Sequence, residues 1–151
     1  MLLWSGDAWS ADNSQHLFDP YSFTHILHGF VFCGLLAWLL PRVPWTWRLA
    51  LAISVEAVWE VFENSATVIN RYRESTLALG YTGDTIVNSF GDIVACALGF
   101  LLACRLGFRR TLLIFLLTEI ALLIWIRDSL ILEILMLIYP IDAIKAWQMS
   151  H

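Results

Sequence analysis

The sequence predicts an all-α integral membrane protein. It reads as one domain over residues 1–151, a bundle of about five transmembrane helices with a polar pocket opening to the outer side. Three observations predict this. The chain is 59% apolar and only 15% charged, with a mean hydropathy of +0.69, whereas a soluble domain is roughly half apolar and about a quarter charged. Its apolar residues are gathered into long runs, each approaching the ~20 residues that a bilayer requires. Finally, His25, His28, Glu56, Glu60, Glu63, Asn64, Asp84, Asn88, Asp92 and Arg127 lie inside or at the ends of those runs. An ionisable group there costs about 2.5–3.5 kcal/mol at mid-helix, so a chain that keeps so many is using them.

Residues 1–21 form an outer N-terminal segment, too short and too mixed to span, and Pro20 closes its polar part. The first span is about 22–40, SFTHILHGFVFCGLLAWLL, stopped by the prolyl turn Pro41-Arg42-Val43-Pro44. The second is about 46–64, TWRLALAISVEAVWEVFEN. A polar loop with room for a short interfacial helix leads to the third, about 84–104, DTIVNSFGDIVACALGFLLAC. After the basic turn around Arg109-Arg110 come a fourth span, about 111–126, and a fifth, about 129–147, the last kinked at Pro140.

With five alternating spans, one side receives Arg42, Arg48, Arg105, Arg109, Arg110 and Lys145, and the other Arg71, Arg73 and Arg127. The positive-inside rule puts the first set in the cytoplasm. The N-terminus and the 65–83 loop then face the periplasm or cell exterior. Residues 1–15 lack the basic and apolar regions of a signal peptide, so an outside N-terminus implies either a preceding helix or direct translocation of the tail. The tail, with Trp4, Trp9 and Phe18 as interfacial anchors, is placed to fold over the pocket.

This topology collects the polar stripes. His25 and His28 share a helix face at the outer start of span one, and Glu56, Glu60 and Glu63 share one on span two. Asp84, Asn88 and Asp92 form a third stripe, with Gly83 and Gly91 each just before an Asp. Glu56 lies about 10 Å below Glu63 at 1.5 Å per residue, near the depth of Asp92. Carboxylates and imidazoles projected from several helices into a bundle centre are how helical metal sites are built. The expected metal ligands are His25, His28, Glu60, Glu63, Asp84, Asn88 and Asp92. Mixed nitrogen and oxygen donors suit Zn, Mn or Fe, and the oxygen-only subset suits Mg. Glu56 and Glu60 are the candidate catalytic bases. Asn64, Arg71, Arg73 and Arg127 are the candidate substrate-binding residues, since arginine reads phosphate or carboxylate bidentately. Two alternatives stay open: the acids balance those arginines, or they share protons among themselves.

Other classes find less support. No Lys/Arg stripe points to nucleic acid. Cys33, Cys96 and Cys104 form no C-x-x-C pair and read as small core residues. No Ser-His-Asp or Cys-His triad is evident, Ser89 being the least implausible nucleophile.

The stretches NSQHLFDPYSFTHILHGF, EAVWEVFENSATVINRYRESTLALGYTGDTIVNSFGD and LLIWIRDSLILEILMLIYPIDAIKAWQ resemble an uncharacterised family of small bacterial multi-pass inner-membrane proteins. The resemblance covers nearly the whole chain after Asn13. It implies a bacterial inner-membrane location and a further hydrophobic segment before this N-terminus, and it implies no reaction. The order of His near span one, paired Glu in span two and Gly-Asp in span three is also similar, as a pattern, to VanZ-like membrane proteins.

The expected function is a metal-dependent hydrolase or transferase acting on a lipid or lipid-linked substrate at the outer face of the inner membrane. The alternatives are a proton or cation transporter and a non-catalytic lipid-binding or assembly protein. Transport sits poorly with the apolar halves Val31 to Leu40 and Ala97 to Cys104, and would need a homo-oligomeric pore or a large motion. Membrane lipids are the expected partners.

Overall fold

Proline and glycine punctuate the chain where its helices end. In the computed structural model, which describes residues 3–10, 13–75 and 81–150, there are seven helices and no strand among the described residues. They are α1 (Ser22–Leu39), α2 (Trp45–Glu63), α3 (Ala66–Ser75), α4 (Ile86–Leu106), α5 (Phe108–Trp125), α6 (Leu130–Ile138) and α7 (Asp142–Gln148). Helix α1 stops at Leu40, which the following Pro41 keeps out of helical conformation. Pro44 launches α2. Thr85 caps α4 by accepting from the Asn88 N–H, and Gly107, at φ +74°, ends it.

Helix α1 lies in the centre, pressed along α4, with α2 against both and α5 at the far edge. The α1–α4 contact is backbone on backbone. A Cβ at Gly29 would stand 2.1 Å from the Cys96 carbonyl oxygen, and one at Gly99 2.2 Å from that of Ile26. Only glycine admits this approach. Gly34, further along α1, meets nothing within 4 Å and plays no such part.

The packing is inside out. Glu56, Glu60, Asp92, Asp128 and Gln148 are buried, while Trp38 (77%), Val61 (76%), Ile86 (89%) and Ile124 (79%) are exposed. An apolar surface this broad marks an interaction face for a membrane or another protein. Two of the helices, α1 and α4, are long and apolar enough to cross a membrane, which suggests a membrane association.

The expected fifth span over 129–147 is replaced by a helical hairpin. Tyr139 and Ile141 are extended around Pro140, leaving α6 and α7 at nine and seven residues, far short of ~20. The hairpin returns to its origin. Gln148 Nε2 donates to the Arg127 carbonyl at 3.1 Å, and Arg127 Nη1 donates to the Trp147 carbonyl at 2.9 Å. Its apolar composition passes for a span because summed hydropathy is blind to the break at Pro140. Lys145 consequently donates to the Glu74 carbonyl beside α3, not at the opposite end of the bundle. The basic residues then divide as Arg42, Arg48, Arg105, Arg109 and Arg110 at one end and Arg71, Arg73, Arg127 and Lys145 at the other, a weaker asymmetry than five full spans imply.

The N-terminal segment folds back on the end where α1 and α4 begin. Trp4 stacks on Trp125 and meets Phe23 edge-on, both with centroids 6.2 Å apart. The Thr85 N–H donates to the Ser14 carbonyl at 3.1 Å, and Gln15 Nε2 to that of Gly83, also at 3.1 Å. The strap lies so close to α4 that a Cβ at Gly91 would be 1.9 Å from the Leu17 carbonyl oxygen.

Candidate metal centre

Helix periodicity puts His25 and His28 on the face of α1 that meets α2. His25 Nδ1 lies 2.5 Å from Glu56 Oε1 and 3.4 Å from Glu60 Oε1, and its Nε2 faces Asp92 Oδ2 at 3.9 Å. His28 Nδ1 is 3.0 Å and 3.1 Å from the two Glu56 oxygens. The two imidazoles meet edge-on, centroids 5.1 Å apart, and Trp59 packs edge-on against His28.

Two sets of donor atoms, His25/His28/Glu56 and His25/Glu60/Glu63, each lie within 4.8 Å of one another. Both Glu60 oxygens and Glu63 Oε2 are buried without a hydrogen-bond partner. A buried acceptor left unpaired costs roughly 1–3 kcal/mol, and a cation seated beside His25 would relieve both Glu60 oxygens. The imidazole and carboxylate donors fit Zn, Mn or Fe. Among the described residues, this is where the chain could hold a metal.

The third stripe is not in those sets. Asp92 Oδ1 accepts from the Ser22 hydroxyl at 2.7 Å. Asn88 Nδ2 donates to Asp19 Oδ2 at 3.3 Å, and Asp84 Oδ1 accepts from the Tyr81 hydroxyl at 2.8 Å. Asn64 is a brace between α2 and the start of α4: its Oδ1 accepts from the Asp84 N–H at 2.7 Å, and its Nδ2 donates to the Glu60 carbonyl at 3.2 Å. Gly83, at φ +99°, lets the chain pass; a Cβ there would sit 2.7 Å from Asn64 Oδ1.

None of the three arginines expected at the substrate lines the cavity. Arg71 donates from Nε to the Leu137 carbonyl (2.9 Å) and from Nη2 to the Ile138 carbonyl (3.1 Å), satisfying the C-terminus of α6. Arg73 Nε donates to the Tyr81 carbonyl at 2.5 Å. Residues 71 and 73 sit on a helix, not the extended loop that would align them, so they point apart. Arg127 holds the α6–α7 hairpin and lies 5.9 Å from the Trp147 ring.

Above His25 opens a cavity of about 40 Å³. Its wall includes residues that sequence reasoning left at the margin. Tyr21 donates to Asp128 Oδ2 at 3.3 Å. The Tyr72 hydroxyl lies 3.0 Å from Glu63 Oε1 and 3.2 Å from Glu133 Oε1, which share its one hydrogen. Tyr72 sits between the two arginines of the Asn70–Glu74 stretch, a signal that was present but read for its charges. Burial pushes the Asp128 carboxyl up to about 7, against the pull of the Ser129 N–H. Burial likewise raises Asp84 and Asp19 above the usual carboxylate range. Glu119 on α5 serves the fold. It accepts the Leu130 and Ile131 N–H groups at 3.0 and 3.2 Å and so caps α6. Cys96 is a core residue as expected, but Cys104 is exposed, its sulfur 3.0 Å from that of half-buried Cys33.

Together these features define an all-helical protein with a buried histidine–carboxylate centre beneath a tyrosine-rimmed acidic chamber. The chain belongs to the family described as "Protein of unknown function (DUF2585)", which it matches over residues 1–150. It is 47% identical to a UPF0314 protein of Sphingopyxis alaskensis, covering 97% of this chain and 78% of that one. It is 48% identical to one from Rhizobium meliloti (97% and 74%) and 49% identical to one from Sinorhizobium fredii (97% and 74%). No solved structure matches.

Proposed function

We propose that the protein is a membrane-embedded, divalent-metal-dependent hydrolase or transferase. It acts on a lipid or lipid-linked substrate at the outer face of the bacterial inner membrane. The observation that carries this reading is the pair of donor sets sharing His25, with both Glu60 oxygens buried and without a hydrogen-bond partner. Five basic residues at the far end against four at the site end lean toward a cytoplasmic position for the far end and an outward one for the site.

His25, His28 and Glu56 hold the cation, with Glu60 and Glu63 beside it. Glu56 is engaged by both imidazoles, which leaves Glu60 as the general base. Asp92 orients the far nitrogen of His25, a partner that tunes such sites. The chemistry a divalent cation supplies is Lewis-acid polarisation and activation of water. Transport is less well supported, because beyond His28 and Glu56 the buried residues Phe30, Phe100 and Ala103 make an apolar stretch.

The test is elemental analysis of detergent-purified protein, wild type beside His28→Ala, Glu60→Ala and Asp92→Ala. About one equivalent of Zn, Mn or Fe is expected, lost in the first two variants. In Asp92→Ala, affinity falls by about 10–100-fold. A metal content equal in wild type and His28→Ala refutes the reading.

A further inference from the structure

The chamber above the metal centre differs from it in chemistry. Its carboxylates are not bare. Asp84 and Asp128 accept the phenol hydrogens of Tyr81 and Tyr21, and Glu63 and Glu133 share the single one of Tyr72. Among the described residues, Asp84, Asp128 and Glu133 enter no metal-donor set. Glu63 Oε2 remains buried and unpartnered on the chamber wall. Among the described residues no arginine or lysine lines the chamber, and the one basic group there is His25. A phosphate or carboxylate would meet five carboxyl groups, with only neutral donors such as Ser14 and Asn88 and the His25 imidazole to offset them.

Size narrows the choice. A chamber of about 40 Å³ holds about three waters at ~10–15 Å³ each. That admits an ammonium with one or two methylenes. An ammonium offers three donors, which can match Glu63 Oε2 and the second lone pairs of Glu133 and Asp128, with tyrosine faces beside them. A quaternary nitrogen is larger and donates nothing.

We propose that the chamber binds the primary ammonium group of an amine-bearing molecule, and that the substrate is therefore an amine-headed amphiphile and not a phosphate-headed one. The role as substrate rests on the metal-enzyme reading; the binding does not.

The test uses the purified full chain, with metal content measured on the same samples. Thermal melting is followed with ethylammonium chloride, tetramethylammonium chloride and inorganic phosphate at matched ionic strength. Ethylammonium is expected to raise the melting temperature saturably, at concentrations at least about tenfold below those at which tetramethylammonium acts, and phosphate not at all. Glu133→Gln loses the shift. Tyr72→Phe, which keeps the ring, provides a second reading if Glu133→Gln does not fold. Vesicles of phosphatidylethanolamine with phosphatidylglycerol, compared with phosphatidylcholine with phosphatidylglycerol, give the source. Preference for the first assigns the ammonium to a lipid, and no preference alongside an ethylammonium shift assigns it to a soluble amine. Equal action of the two ammonium salts, or a shift with phosphate, overturns the proposal. An ethylammonium shift in protein without metal keeps this inference and removes the enzyme reading. Bound metal with no shift does the reverse.

Discussion

Substituting Gly29 by alanine tests whether the whole site depends on one close backbone contact. The new Cβ would lie 2.1 Å from the Cys96 carbonyl oxygen and 2.5 Å from the Phe100 nitrogen. Both are backbone atoms of α4 and cannot rotate aside, so α1 and α4 must separate by about 1.3 Å to bring the 2.1 Å approach to the 3.4 Å of ordinary contact. Overpacking of this kind costs about 3 kcal/mol, the upper part of its usual range. Alanine's helix propensity returns about 1 kcal/mol, leaving a net loss of about 2. Gly34→Ala on the same helix meets nothing within 4 Å and gains the ~1 kcal/mol alone. The two variants should therefore differ by about 3 kcal/mol, or roughly 6–12 °C in melting temperature, followed by fluorescence in detergent. The separation also draws His25 away from Asp92, so metal content falls in Gly29→Ala and not in Gly34→Ala. Equal melting of the two variants would refute the reasoning.

Three further outcomes are expected. Glu119→Gln weakens the cap on the Leu130 and Ile131 N–H groups and costs about 1–2 kcal/mol; unchanged melting would show that Ser129 suffices. Asp128, raised by burial from 3.8 to about 7, holds its proton more tightly folded than unfolded. Its contribution is intact below pH ~4 and is lost as pH rises to ~7, by about 1.4 kcal/mol per unit. Asp128→Asn should flatten melting temperature against pH across that window, and an unchanged slope would assign the proton elsewhere. With the Cys33 and Cys104 sulfurs 3.0 Å apart, diamide should consume both thiols and spare buried Cys96, as read by mass spectrometry. Cys33→Ser should abolish the loss.

The grouping of His25, His28, Glu56, Glu60 and Glu63 was legible because helical spacing alone puts them on facing stripes. The strap over the site was legible from polar residues ending at Pro20. Three things were not. Arg71 binds the backbone carbonyls of Leu137 and Ile138, and a carbonyl leaves no mark in a sequence. The run 129–147 is apolar enough to span, and only its pairing with Arg127 shows that it folds back. Glu133 joins the chamber through Tyr72, a contact across 61 positions that no local pattern encodes.

The return of the α6–α7 hairpin to Arg127 changes the parity of the chain. Trp4 rests on Trp125 at the end of α5, and Ser150 accepts from Arg127 just beyond it. On the proposed membrane reading, with α1, α2, α4 and α5 all crossing, the number of passes between Trp4 and Ser150 is even and both residues emerge on one side. A reporter fused after Ser150 therefore shares its compartment with the metal centre. With the centre outward, alkaline phosphatase fused there is active and green fluorescent protein is dark. Five passes would invert both signals.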